Sequence, residues 1–190
     1  MNGYNILILS GSTRAGSYNQ QLADLFGEYI ESKGAKAIML YLSKYPLPLY
    51  EQDIEVSSFP ENAFILHEIF SQSDGVAIFC PEYNASYPPI ISNLLAWLSR
   101  VEGGGAAIFS KPYALGSASP GSLGGYRGLM SLRQSLVLQL GSMVLPEVIT
   151  LPFAHHEFTT QGRIKNERAI EHLEKMAIAL LKYVQVFSGK

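Results

Sequence analysis

Five times along the chain a short run of consecutive apolar residues ends in polar or glycine-rich residues and gives way to apolar residues spaced three and four apart. The runs cover residues 4–10, 35–42, 75–80, 112–117 and 144–150, and all but the last two carry almost no polar interruption. A strand without polar alternation must be covered on both faces, which in small domains means a parallel sheet with helices above and below. The helical spacing is clearest after Ser17, where Leu22, Leu25, Phe26, Tyr29 and Ile30 share one stripe before Gly34 stops the pattern. Further helices are expected over residues 60–72, 89–100, 125–140 and 166–187, while residues 44–58, with Pro46, Pro48 and little periodicity, read as a surface loop. The alternation predicts an α/β fold of five βα units.

Composition narrows the setting. With 190 residues, 47% of them hydrophobic, the chain can bury a large core, and with no repeat or linker visible we expect one domain over residues 1–190. A net charge of -2 does not supply the basic face that nucleic-acid binding needs. Cys80 is the single cysteine, so no internal disulfide forms. With neither a charged leader before an apolar stretch nor an apolar run near the ~20 residues of a membrane span, a cytoplasmic protein away from membranes is expected.

In open α/β sheets, ligands bind beyond the carboxyl ends of the strands. There the chain has Ser10-Gly11-Ser12-Thr13-Arg14, then Pro81-Glu82-Tyr83-Asn84, then the glycine-rich stretch from Ser117 to Gly125. A loop entering a helix offers free N–H groups and the positive end of the helix dipole, which favour an anion. Ser12, Ser17 and the amide of Asn19 add donors, and Arg14 adds a guanidinium suited to a phosphate dianion. Taken singly, Ser17 also reads as a helix cap and Arg14 as a solvated side chain; together after a buried strand they read as a phosphate cradle. The stretch is neither G-x-x-x-x-G-K-[ST] nor G-x-G-x-x-G, and it lacks the thiolate of a cysteine phosphatase. Glu82, Tyr83 and Asn84 supply successive backbone donors and acceptors beside an aromatic ring, although the same residues suit a tight turn between strand and helix.

Three motifs make the chain resemble the NAD(P)H-dependent FMN reductases of flavodoxin-like fold, whose relatives act on quinones, azo dyes and chromate. They are Gly11-Ser12-Thr13-Arg14-Ala15-Gly16-Ser17-Tyr18-Asn19; Pro81-Glu82-Tyr83-Asn84 with Ser86 and Pro88; and Ser117 to Gly125 with Arg127, Leu132, Arg133 and Gly141. The resemblance implies a three-layer sandwich around a five-stranded parallel sheet of order 2-1-3-4-5. It implies FMN, with its phosphate in the first loop (Ser10, Ser12, Arg14, Ser17, Asn19, Gln20) and its ring against Pro81, Glu82, Tyr83 and Asn84. Ser117, Ser119, Gly121 and Gly124 would flank the other side. NADPH or NADH would hand a hydride to the flavin and leave before a small acceptor arrives: free flavin, a quinone, an azo compound or a metal oxyanion. An FMN-binding electron carrier without nicotinamide turnover is the alternative, and a phosphoester hydrolase a third reading.

The family pattern carries a lysine and an aspartate where this chain has Ser92 and Ala96. Ile90, Ile91, Leu94, Leu95, Trp97 and Leu98 make that helix apolar around more than one stripe, as do residues 129–140. From this we expect a homodimer or homotetramer that buries Trp97 between subunits. Cys80 reads as a small buried residue and His67 and His172 as surface residues. His155-His156-Glu157 lacks a metal-ligand spacing, so no metal is expected.

Overall fold

The computed structural model describes residues 3–101 and 104–188. In chain order its elements are β1 (Asn5–Ser10), α1 (Tyr18–Ser32), β2 (Lys36–Leu40), a 3-10 turn (Leu42–Lys44), α2 (Gln52–Ser57), α3 (Glu61–Ser71) and β3 (Gly75–Phe79). They continue with α4 (Pro89–Leu98), α5 (Gly104–Phe109), β4 (Pro112–Ala118), α6 (Tyr126–Gln134), a π-helical turn (Ser135–Gln139), β5 (Met143–Leu151), α7 (Ala154–Glu157) and α8 (Glu167–Ser188).

The five strands form one parallel sheet in the order β2-β1-β3-β4-β5, as the motifs implied. Alternate side chains of β1 separate two cores. Ile6 and Ile8 pack with Leu22, Phe26 and Ile30 of α1 and with Met176 and Leu180 of α8. Leu7 and Leu9 face Leu66 and Phe70 of α3, Ile91 and Leu94 of α4, and Leu129 and Leu132 of α6. Burial on both faces is why β3 and β4 are apolar without alternation, whereas edge strand β2 begins on exposed Lys36. Each helix stripe is matched to one face, so the flavodoxin-like sandwich follows from where the apolar residues sit.

Four expectations change. Residues 44–58 are not a loop throughout, because α2 forms within them. α5 was not foreseen, since its glycines and alanines carry no stripe. The third correction concerns Trp97, which is fully buried within the monomer. Its ring meets Tyr50 and Phe59 edge-on, with centroids 5.1 and 5.2 Å away, and its Nε1–H donates to the Pro48 carbonyl at 2.8 Å. Asn93 accepts from the Tyr50 N–H at 2.7 Å and donates to Pro48 O at 2.9 Å, and Asn62 donates to Pro46 O at 2.8 Å. The proline-containing segment is thus a strap across α4 that consumes the apolar surface assigned above to a partner. His67 is also only half exposed, whereas His172 lies at the surface.

Candidate functional site

The carboxyl ends of β1, β3 and β4 bring the three motifs together. In the first, Ser17 is the N-cap of α1: its Oγ accepts from the Gln20 N–H at 3.3 Å, and the hydroxyl keeps its hydrogen for another partner. Ser10 Oγ accepts from the Ser12 N–H at 3.2 Å, bending the chain out of β1. The N–H groups of Thr13, Arg14, Ala15, Gly16, Tyr18 and Asn19 have no partner among the described residues. Such a run of donors at a helix start is an arrangement that favours an anion. The Arg14 guanidinium curls over the loop, donating to the carbonyls of Ala15 at 3.1 Å and Gly16 at 3.3 Å, 5.9 Å from the Tyr18 ring centroid. A cavity of about 340 Å³ opens here, lined by Ser12, Thr13, Arg14, Ser17 and Gln20.

Two side chains of this group point elsewhere. Asn19 is buried, and its amide donates to Ala118 O and accepts from Ala118 N–H, each at 2.9 Å. It ties the loop to β4 instead of facing the cradle. Gln20 Nε2 donates to Asp24 Oδ1 at 2.8 Å, one helical turn along.

The second motif is a two-residue hairpin. Tyr83 and Ser86 exchange backbone hydrogen bonds of 2.9 Å in both directions, which leaves Asn84 at φ 51° and Ala85 at φ 61°. Left-handed backbone is tolerable for asparagine but costs alanine about 1–2 kcal/mol. The strain leaves the Asn84 and Ala85 N–H groups exposed and without a partner among the described residues. Tyr83 is half exposed beside them.

Glu82 takes a role that sequence reasoning did not assign. Its carboxylate accepts from the backbone N–H groups of Arg127 at 3.1 Å and Gly128 at 3.3 Å, and from Arg127 Nε at 2.8 Å, with a further ion pair to the same guanidinium. Burial alone would raise its pKa. The hydrogen bonds from the Arg127 side chain and the Gly128 N–H, with the guanidinium charge, outweigh that and hold it below its ordinary 4.5. Glu82 therefore caps the start of α6 from a different motif. The contact continues along the same helix face, where Ser86 meets Ser131 and Tyr87 meets Ser135, each with oxygens 3.1 Å apart. The four-residue spacing of Ser131 and Ser135 was the available signal.

In the third motif, Ser117 is fully buried and its Oγ has no hydrogen-bond partner among the described residues. Gly125, at φ 88°, lies so close that a Cβ there would stand 1.9 Å from that oxygen. Ser119 Oγ accepts from the Gly121 N–H at 3.2 Å, and the Gly121 carbonyl accepts from Gly124 and Phe153. Between this turn and the hairpin lies a cavity of about 200 Å³ lined by Glu82, Ser119, Gly121, Leu123, Gly125 and Arg127. Pro81 leads into the hairpin half-buried, and Gly124 is buried in the turn. At the hairpin's base Cys80 is buried, and burial pushes its thiol up to about 12. Among the described residues no group of three or more His, Cys, Asp or Glu is placed to hold a metal. Nor is any helix among them long and apolar enough to cross a membrane.

Residues 4–156 match the family described as NADPH-dependent FMN reductase. A quinone reductase of Pseudomonas putida is 37% identical over 165 residues, 86% of each chain. An NAD(P)H-dependent FMN reductase of Pseudomonas aeruginosa is 31% identical over 186 residues, 97% of each chain. The structure of an NAD(P)H:acceptor oxidoreductase, a flavoenzyme from Paracoccus denitrificans, superposes with a TM-score of 0.81 at 25% identity, covering 97% of this chain and 99% of that one. With the cradle, the hairpin and the glycine-rich turn all at the carboxyl edge of a 2-1-3-4-5 sheet, the chain belongs to the NAD(P)H-dependent FMN reductase family of flavodoxin-like oxidoreductases.

Proposed function

We propose that this protein binds FMN and uses NAD(P)H to reduce a small quinone-like acceptor, the nicotinamide and the acceptor occupying one site in turn. The cradle carries the reading: six N–H groups without a partner among the described residues, the Ser12 and Ser17 hydroxyls and the Arg14 guanidinium lie together where a helix begins. The Ser117 hydroxyl, which has no partner among the described residues, supports a second polar contact near the glycine-rich turn. Bound FMN supplies the two-electron chemistry.

This chain's residues hold and orient. Thr13 to Gly16, Ser12, Ser17 and Arg14 take the phosphate, while Ser10, Asn19 and Gln20 shape the loop behind it. Pro81 to Asn84, with the N–H groups of Asn84 and Ala85, meet one side of the ring, and Ser117, Ser119, Gly121 and Gly124 meet the other. The quinone-like acceptor is supported by the name of the Pseudomonas putida relative and by the scarcity of charge around the ring cavity, where Glu82 and Arg127 neutralise each other.

The deciding experiment compares FMN with riboflavin. FMN should bind far more tightly, and Arg14→Ala should weaken FMN by about 1.5–3 kcal/mol while leaving riboflavin unchanged. Equal affinity for the two flavins would remove the phosphate assignment. With FMN bound, double-reciprocal plots at several quinone concentrations should be parallel. Absence of NAD(P)H consumption by the FMN-loaded protein would favour the electron-carrier alternative. The reading includes a homodimer or homotetramer, for which exposed Val137 and Leu138 supply apolar surface; sedimentation of Leu138→Asp tests that surface.

A further inference from the structure

The Glu82–Arg127 pair joins two motifs and also walls the cavity between them. The two partners are unequally placed. The Glu82 side chain is 11% exposed, with both oxygens engaged, while the Arg127 side chain is 60% exposed and reaches the carboxylate from the solvent side. Gly128 lets the hairpin settle onto α6, since a Cβ there would lie 3.0 Å from Ser86 O and 3.1 Å from Glu82 Cα. The pair therefore sits at fixed depth beside the cavity, and its net charge is zero while both members are present.

We propose that Glu82 and Arg127 are positioning residues that set the charge felt by the flavin ring, so that the pair governs how strongly the site prefers reduced over oxidised FMN. The inference rests on the FMN reading above. A reduced flavin carries more negative charge on its ring than an oxidised one at neutral pH, so charge near the ring shifts the balance between them. An uncompensated Arg127 stabilises the reduced form, whereas an uncompensated Glu82 disfavours it. Exposure of Arg127 limits the effect, because solvent screens a charge on that side.

The test measures the affinity of oxidised and reduced FMN for wild type, Glu82→Gln, Arg127→Met, the double variant and Arg127→Lys, with the midpoint potential of the bound flavin as the second readout. Glu82→Gln keeps an acceptor for the α6 N–H groups and should shift the ratio of affinities toward reduced FMN by roughly three- to tenfold. Arg127→Met should shift it the opposite way by a similar factor. A tenfold change corresponds to about 30 mV for a two-electron couple. The double variant should return toward wild type, and Arg127→Lys, which keeps the charge but not the fork, should stay near it. A merely structural pair would weaken both forms of FMN alike. Shifts of the same sign in the two single variants, no shift beyond twofold in either, or a lysine variant that behaves like the methionine variant would overturn the proposal. If wild type takes up no FMN, the cofactor reading itself fails, a result that unequal shifts in the variants cannot imitate.

Discussion

The side-chain amide of Asn19 and the backbone of Ala118 form a closed pair, each donating to the other at 2.9 Å across 99 residues of sequence. Both partners are buried, so removing the amide strands two polar groups that water does not reach. Asn19→Ala should cost about 2–4 kcal/mol, read as a lower urea midpoint with an unchanged slope. FMN affinity should fall as a secondary effect. Should FMN binding be lost while the urea midpoint stays put, Asn19 would have to be a direct ligand.

The strap makes a second prediction. Trp97→Phe removes the Nε1–H donor to Pro48 and part of the ring that Tyr50 and Phe59 pack against, and should destabilise the monomer by about 1–3 kcal/mol. Trp97→Asp, by burying a carboxylate, should abolish folding instead of yielding a folded, dissociated subunit. A soluble, folded Trp97→Asp monomer would restore the intersubunit role expected from sequence.

Acid should act through Glu82. Its pKa is held below 4.5 in the folded protein, so its ionised form is favoured by folding. That contribution is fully present above 4.5 and disappears as the pH falls through the lower, folded value. Wild type should therefore lose more stability than Glu82→Gln between about pH 6 and pH 3, with α6 the first element to lose amide protection. Parallel acid profiles for the two proteins would show that the carboxylate is not ionised in its cap.

Cys80 should behave as a packed side chain. With its thiol buried and pushed up to about 12, almost no thiolate exists near neutral pH. A thiol reagent at pH 7.5 should label the native protein at the rate of global unfolding and the urea-unfolded protein at once. Rapid labelling of the native state would mean that the hairpin opens at its base.

The strands were legible because burial on both faces leaves consecutive apolar residues with no other explanation, as in residues 75–80. The Ser17 cap was legible because its chemistry is local: the hydroxyl and the Gln20 N–H it accepts from lie within one turn of each other. What sequence could not display was partnership over distance. The Asn19 amide looked available until Ala118 occupied it, and the binding of the Glu82 carboxylate to Arg127 and Gly128, 45 and 46 residues away, left no mark in the sequence. The strap was illegible for a related reason. Its prolines suppress periodicity, and its path is dictated by Asn62, Asn93 and Trp97, which belong to other elements.

The strand order also sets a timetable for folding. β1 lies in the sheet interior between β2 and β3, but the loop that follows it is anchored by Asn19 to the end of β4. Pairing β1 with β2 closes a short stretch of chain, whereas anchoring the loop must wait for a contact across 99 residues. During refolding, amides of α1 next to the cradle should gain their last protection with β4 and not with β2. Residues of the cradle leave the ribosome long before Ala118, so the Asn19 amide lacks this backbone partner until β4 has been made.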